Sequence, residues 1–243
     1  MNKVALIILT KDRPDDLFHT YNHNIGNAGC ECDIILVDNG TINREAEKII
    51  SLIPGNKIRF SENIGIGNAL NVGLHHAYSL GYEYFQFCAN DIFEGHHWLV
   101  DKIRYTEHYP NSGILSTYHG AHGKSLTHVD IKPIEEAVVV GQFFISRKVV
   151  DKIGYFVNFG GLYGPVDCNY NDRAKAAGFI NYYVPDKYFS HSLNKVNDKE
   201  IYGYDKQEHL KTTWAEHQRN HAFFNENYYV PFGIDTSKLN LNK

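Results

Sequence analysis

Residues 4–9 form an unbroken apolar run, and the charged residues Lys11, Asp12 and Arg13 follow at once. This is the pattern of a strand buried on both faces. Residues 33–37, 57–60 and 84–88 repeat it in shorter form. Between them lie stretches with helical signals. Thr10 or Asp12 suits the cap of a first helix, with Pro14 in its opening turn and Asp15 and Asp16 favouring its dipole. That helix is predicted to end near Gly26 or Gly29. A short second helix covers residues 44–52, before Pro54-Gly55. A third covers residues 65–80, with Gly81 as its stop. The alternation predicts an α/β fold: a mostly parallel central sheet flanked by helices, with a Rossmann-like N-terminal half.

The second half is less periodic. Residues 118–130 are rich in Gly, His and Ser and are predicted to form a loop. Strands are predicted at 138–146, 179–184 and 188–191, and helices at 147–153 and 166–177, the latter stopped by Gly178. A last helix is predicted over 206–224, where Leu210, Trp214, His217 and Phe224 share a face. With no internal repeat and no low-complexity linker, the expectation is a single domain over residues 1–243. Its nucleotide-sugar half covers about 1–110. Its acceptor half covers about 111–243 and includes the C-terminal helix.

Composition narrows the function classes. Hydrophobic residues make up 43% of the 243, enough for a sizeable core. The formal net charge of -4 gives no general grip on nucleic acid or anionic membranes. The four cysteines, Cys30, Cys32, Cys88 and Cys168, form no CxxC pair or disulfide framework. That makes a reducing, cytoplasmic compartment the expectation. The run at 4–9 is too short for a secretion signal or a transmembrane segment.

Acidic residues at predicted strand ends carry the chemistry, because open α/β sheets bind ligands there. Asp38, in Asp38-Asn39-Gly40, can accept hydrogen bonds from a uracil or thymine imide or from a ribose hydroxyl. The same tripeptide is equally a turn. Thr10 and Asp12 stand at the end of the first strand as the other wall of a base pocket, or as the helix cap already described. In Asn63-Ile64-Gly65-Ile66-Gly67-Asn68, glycines mark a strand-to-helix passage suited to phosphate. The spacing is not GxGxxG. Asn63, Gly65 and Asn68 are the nucleotide candidates, and Asn71 is expected to fix the loop by local hydrogen bonds. His119, His122 and His128 are irregularly spaced with no cysteine near, a poor zinc set.

These segments, with Phe87-Cys88-Ala89-Asn90-Asp91 and Gly164-Pro165-Val166-Asp167 closing on Arg173 and Gly178, resemble family 2 glycosyltransferases of GT-A fold. Within that family they are most similar to the rhamnosyltransferase-like branch. The resemblance runs over about residues 4–191, with a fainter echo at 227–233. It implies inverting transfer of a hexosyl or deoxyhexosyl group from a nucleotide-diphosphate sugar to an acceptor hydroxyl, in glycan biosynthesis. UDP- or dTDP-sugars stand ahead of GDP-sugars as donors, and a glycan is the expected acceptor. The cofactor implied is Mn²⁺ or Mg²⁺. Asp91 matches the last carboxylate of a DxD-type motif whose first is replaced by Ala89, so a single carboxylate remains for the metal. Its bland alternative is a helix cap before Trp98. His191 matches a histidine that completes the metal shell in relatives, against an ordinary structural role. Asp167 matches the base that deprotonates the acceptor, with Val166 where relatives carry glutamate. Asn90, beside Asp91, is a candidate ribose contact, and Gln142 matches a segment that runs beside the donor sugar in relatives. Arg173 is expected to face solvent or pair with a carboxylate. Ala89 and Val166 also favour a rival reading, a non-catalytic sugar-nucleotide or glycan-binding protein. A nucleotidyltransferase is a second rival, but residues 10–14 match its glycine-rich loop poorly.

Overall fold

Four consecutive parallel strands set the frame on which everything else is placed. The computed structural model describes residues 3–119, 132–133, 140–157, 162–192, 205, 207–208, 211 and 240–241. In chain order the first elements are β1 (Val4–Thr10), α1 (Pro14–Asn27), β2 (Asp33–Asp38), α2 (Arg44–Leu52) and β3 (Asn56–Arg59). Next come α3 (Ile66–Ser79), β4 (Tyr84–Ala89), β5 (Ile92–Glu94), α4 (Trp98–His108), β6 (Ser112–His119) and β7 (Lys132–Pro133). A 3-10 turn at Val140–Gln142 leads into β8 (Phe144–Ser146), α5 (Arg147–Ile153), α6 (Val166–Ala176), β9 (Ile180–His191) and β10 (Asn240–Leu241). The sheet order is β10-β3-β2-β1-β4-β8-β6-β9-β5, with β7 on β9.

Strands β3, β2, β1 and β4 are mutually parallel, as the alternating sequence pattern predicts. Beyond β4 the sheet becomes mixed. Strand β8 runs antiparallel to both β4 and β6, whereas β6 and β9 are parallel. Two reversals restore the original direction, so β9 ends on the same edge of the sheet as β1, β2 and β4.

Alternate residues of each strand feed opposite layers. Ile7, Val37 and Phe87 pack with Leu70 and Leu74 of α3, Val150 of α5 and Tyr170 of α6. Leu6, Ile8 and Leu36 pack with Leu17 of α1, Ile50 of α2 and Trp98 of α4. Strands buried on both faces explain the continuous apolar runs; each such side chain contributes about 1.5–3 kcal/mol. Gly73 lets α3 lie close to the sheet, because a Cβ there would stand 2.7 Å from Ile7 Cγ2 and 2.9 Å from Val37 Cγ2.

Several local expectations are corrected. Residues 138–146 do not make one strand: Val140–Gln142 turn, and only Phe144–Ser146 pair. The turn seats Gly141 against the end of β4, where a Cβ would come within 2.9 Å of Ala89 Cβ. The two predicted strands at 179–184 and 188–191 are one, β9. Between the partners Ser116↔Tyr183 and Tyr118↔Tyr188 the register shifts, and this irregularity accommodates Pro185. Tyr118 and His119 belong to β6 and not to a loop. Residues 120–130 lie outside the described residues. So does most of the predicted 206–224 helix, although Gln207, Glu208 and Lys211 are helical.

Two polar residues also differ from expectation. Asn71 bonds a distant segment: its Nδ2 donates to Phe156 O at 2.8 Å and its Oδ1 accepts from Phe156 N at 2.8 Å. Arg173 is buried, donating to Ile153 O at 2.6 Å, Tyr155 O at 2.7 Å and Asn169 Oδ1 at 2.8 Å. It satisfies carbonyls at and beyond the end of α5, a need no single-sequence pattern announces. Among the described residues no helix is long and apolar enough to cross a membrane.

Candidate active site

The C-terminal ends of β1, β4 and β9 meet the N-terminal ends of α3 and α6 around a cavity of about 250 Å³. Its polar wall includes Thr10, Asn63, Asn90, Asp91, Asp167 and His191. Its apolar wall includes Ile66, Leu70, Phe87, Ala89 and Val166. Six of the residues singled out from sequence thus share one hollow. Asp12, Asp38, Gly65, Asn68 and Gln142 do not line it. Chain neighbours of four of them, Lys11, Asn39, Ile66 and Gly141, do.

The β1 end is tightly organised. Asp12 adopts φ +47°, rare for a residue other than glycine. Its Oδ1 accepts from Ile42 N and Asn43 N, both at 2.7 Å, so it clamps the loop after β2 and does not cap α1. The cap position of α1 belongs to Arg13, without a side-chain cap bond. Lys11 Nζ pairs with Asp12 Oδ2 at 2.5 Å and donates to Gly40 O at 2.8 Å. Gly40 has φ +83°, and a Cβ there would stand 2.6 Å from Asn63 N; only glycine fits.

Beneath this clamp Asp38 is only 1% exposed. Its Oδ1 accepts from Thr41 N at 2.9 Å, and its Oδ2 lies 3.2 Å from Arg59 Nε. Burial pushes its carboxyl pKa up, against the opposing pull of the Thr41 hydrogen bonds and the Arg59 charge. A raised acid pKa means the folded chain holds this proton to higher pH than the unfolded chain does. The group's contribution to stability therefore falls as pH rises from the ordinary aspartate range through the raised value. Asp38→Asn keeps an acceptor for Thr41 and removes that loss. We expect its melting temperature at neutral pH to equal or exceed that of the native chain, with the gap closing in acid. A large drop at neutral pH would show that the Arg59 pair dominates.

Asn39, itself buried at 6% exposure, takes the cavity-lining position that Asp38 lacks. Its Nδ2 donates to Asn63 Oδ1 at 2.9 Å and its Oδ1 accepts from Ile64 N at 3.0 Å. Asn63 Oδ1 also accepts from Gly65 N at 3.0 Å, so the loop before α3 is held from within. The first amide of α3, Ile66 N, donates to Leu162 O at 3.0 Å, tying the segment before α6 to this helix. Asn68 Nδ2 turns back to Ile64 O at 2.9 Å, while its Oδ1 is buried without a hydrogen bond. Asn90 donates to Thr10 Oγ1 at 3.1 Å, joining the ends of β4 and β1. Gln142 is fully buried, accepting from Thr117 Oγ1 at 2.7 Å.

Asp91 follows β4, and His191 ends β9. The antiparallel β5–β9 ladder sets Ile92 opposite His191, and Ser192 N donates to Asp91 O at 2.7 Å. Asp91 does not cap α4, whose cap position is His97. Its Oδ2 instead accepts from Arg13 NH1 at 2.6 Å. Asp167 lies in the first turn of α6, half-buried, with Oδ1 accepting from Cys168 N at 2.9 Å. Sequence reasoning missed Arg13, Lys11 and Asn39; the Asp-Asn-Gly turn was the one available signal for Asn39.

The donor set has a definite chemical character. Among the described residues no three His, Cys, Asp or Glu side chains gather into a preformed metal cage. Lys11 already faces Asp12, and Arg13 faces Asp16 and Asp91, so neither brings spare positive charge to a diphosphate. One carboxylate and one imidazole on adjoining walls fit a small divalent cation that takes its other ligands from phosphate and water.

No protein-family model matches the sequence, and no curated protein matches it significantly. Solved structures do. The mannosyltransferase PcManGT from Pyrobaculum calidifontis, in complex with GDP-Man and Mn²⁺, matches with TM-score 0.65 and 14% identity, covering 79% of this chain and 57% of that one. S. aureus TarS 1-349 in complex with UDP-GlcNAc matches with TM-score 0.64 and 14% identity, covering 81% and 60%. GalNAc-T7 with UDP, GalNAc and Mn²⁺ matches with TM-score 0.61 and 12% identity, covering 79% and 44%. The match thus spans between 44% and 60% of the length of those chains. Identities this low carry the architecture and not the reaction: the chain has the α/β fold of GT-A-type glycosyltransferases.

Proposed function

We propose that this chain is an inverting glycosyltransferase that uses a nucleoside-diphosphate sugar and a divalent cation. The observation that carries the reading is the convergence of Asp91, His191 and Asp167 on one cavity at the ligand-binding edge of the sheet. The neighbours' complexes with GDP-Man, UDP-GlcNAc and UDP with Mn²⁺ support the class of donor and of cation.

In this reading Thr10, Asn39, Asn63 and Asn90 contact the nucleoside. Asn39 retains one N–H and one lone pair for a base edge. A uridine or thymidine donor remains the expectation. Asp38 acts through the loop it anchors unless residues 39–43 part. Gly65, Asn68 and Gln142 shape the site from behind. Asp91 and His191 hold Mn²⁺ or Mg²⁺, which when bound offsets negative charge on the departing diphosphate. Asp167 receives the proton of the acceptor hydroxyl. The acceptor oxygen bonds to the anomeric carbon from the face opposite the diphosphate, and the carbon–oxygen bond to the nucleoside diphosphate breaks. Hexosyl or deoxyhexosyl transfer to a glycan, a single domain and a rhamnosyltransferase-like affiliation belong to the same proposal. So does a cytoplasmic setting, supported by four unbridged cysteines.

Thermal shift against UDP-, dTDP-, GDP- and CMP-sugars, with and without Mn²⁺, tests the reading. A donor at 100 times its dissociation constant adds about 2.7 kcal/mol to stability. We expect such a shift with a uridine or thymidine donor, dependent on Mn²⁺ and followed by release of nucleoside diphosphate. Binding without turnover supports the non-catalytic rival. Pyrophosphate release supports a nucleotidyltransferase. No shift with any donor sinks the assignment.

A further inference from the structure

A buried arginine sits on the proposed metal-binding carboxylate. Arg13 is 7% exposed, and its guanidinium spans two carboxylates. Nε donates to Asp16 Oδ2 at 2.8 Å and NH2 lies 2.6 Å from the same oxygen. NH1 donates to Asp91 Oδ2 at 2.6 Å. Asp16 Oδ1 accepts from Ser192 Oγ at 2.5 Å, and Ser192 N donates to Asp91 O at 2.7 Å. The bonds close a ring: Arg13 to the Asp91 side chain, the Asp91 carbonyl to Ser192, Ser192 to Asp16, and Asp16 back to Arg13. The ring joins α1 to the ends of β4 and β9, beside both Asp91 and His191.

The chemistry of a planar guanidinium fork gives this arrangement a consequence. Arginine holds a carboxylate by direction as well as charge, and it stays protonated whatever its neighbours do. With Oδ2 engaged, Oδ1 is the oxygen of Asp91 left to the cavity, where its side chain is 25% exposed. Calcium takes six to eight oxygens, often with carboxylates bound through both, at longer distances. Magnesium holds near-ideal octahedral geometry and keeps several waters.

We propose that Arg13 is a positioning residue that restricts Asp91 to one-oxygen coordination and so makes the site select Mg²⁺ or Mn²⁺ over Ca²⁺. The inference rests on Asp91 being a metal ligand, as set out under the proposed function. It does not follow from that role, because an aspartate without Arg13 offers both oxygens.

Metal binding measured directly, without turnover, tests it. Mn²⁺ and Ca²⁺ are titrated calorimetrically into native, Arg13→Lys and Arg13→Gln proteins in the presence of UDP. Changing a residue that orients a metal ligand typically alters metal affinity about 10–100-fold. We expect Arg13→Gln to weaken Mn²⁺ by that factor and Ca²⁺ far less, shifting the Ca²⁺ to Mn²⁺ affinity ratio by about 10-fold or more. Arg13→Lys, which keeps the charge, should recover part of the ratio. A merely structural Arg13 would lower both affinities in parallel, and an unchanged ratio in a folded Arg13→Gln protein overturns the proposal. Should Arg13→Gln fail to fold, a crystal structure of the native chain with Mn²⁺ and UDP decides the point. Asp91 bound through Oδ1 alone with the Arg13 contact kept supports it. Both oxygens on the metal, or Arg13 displaced, overturns it. Failure of the native chain to bind Mn²⁺ with UDP is a different outcome, sinking the metal reading itself.

Discussion

Asp167→Asn is expected to lower turnover by about 10²–10⁴-fold while leaving donor affinity within a few-fold of the native chain. Asparagine has nearly the same shape and keeps an Oδ1 for Cys168 N–H, so the first turn of α6 should persist. What it loses is the capacity to take a proton at the moment the acceptor oxygen attacks. The nucleotide contacts proposed above come from β1, β4 and the loops before α3, so donor binding should not follow turnover down. Steady-state release of nucleoside diphosphate and calorimetric donor binding separate the two quantities. Turnover within a few-fold of native excludes Asp167 as the base. A parallel fall in donor binding moves its role to the substrate complex.

The second large effect is on stability. Lys102 and Glu94 form an ion pair with side chains 0% and 1% exposed, at 3.1 Å. Lys102 also donates to Gln86 Oε1 at 2.9 Å, and Thr117 Oγ1 lies 2.8 Å from Glu94 Oε2. Burial pulls the Lys102 pKa down while Glu94 pulls it back up. Lys102→Met leaves the Glu94 carboxylate buried without its cation, and breaking such a pair costs about 3–5 kcal/mol. Replacing both partners, as Lys102→Met with Glu94→Gln, should recover much of that, because two exposed ions no longer have to be dehydrated on folding. Urea unfolding of the two single variants and the double variant measures the coupling. A Lys102→Met protein within about 1 kcal/mol of native would mean that water or local relaxation solvates Glu94. The network reaches the cavity through the contact of Thr117 Oγ1 with Gln142 Oε1, Gln142 being next in the chain to the lining residue Gly141.

The parallel half of the fold was legible because its strands are buried on both faces and so spell continuous apolar runs. Residues 4–9 and 84–88 are the clearest cases. The cavity-lining positions Thr10, Asn63, Asn90, Asp91, Asp167 and His191 were legible as neighbours for a related reason: strand ends and helix starts meet at one edge of an open α/β sheet. What stayed hidden was decided by remote partners. Asn71 looked like a local loop residue because nothing near it in sequence reveals Phe156. Arg173 looked like a surface charge because its carbonyl acceptors at Ile153 and Tyr155 lie 20 and 18 positions earlier in the chain. Asp38 stands at the expected strand end, yet whether it meets solvent depends on the clamp that Asp12 and Lys11 place over residues 40–43. The expected gap between strands at 179–184 and 188–191 is not there: the one strand β9 carries Pro185 through a register shift.

The zipper that sets Ile92 across from His191 has an implication for how such a chain drifts. Side chains of a ribbon alternate between its two surfaces, so adding or deleting one residue just ahead of His191 turns the imidazole to the far side; a deletion brings Ser192 into its place, an insertion the residue before it. Losing or gaining two residues preserves the facing. If His191 holds a metal as proposed, parity of length in this short stretch matters as much as the imidazole itself, and an odd-length indel there should remove the ligand from the cavity with every proposed site residue still in the sequence.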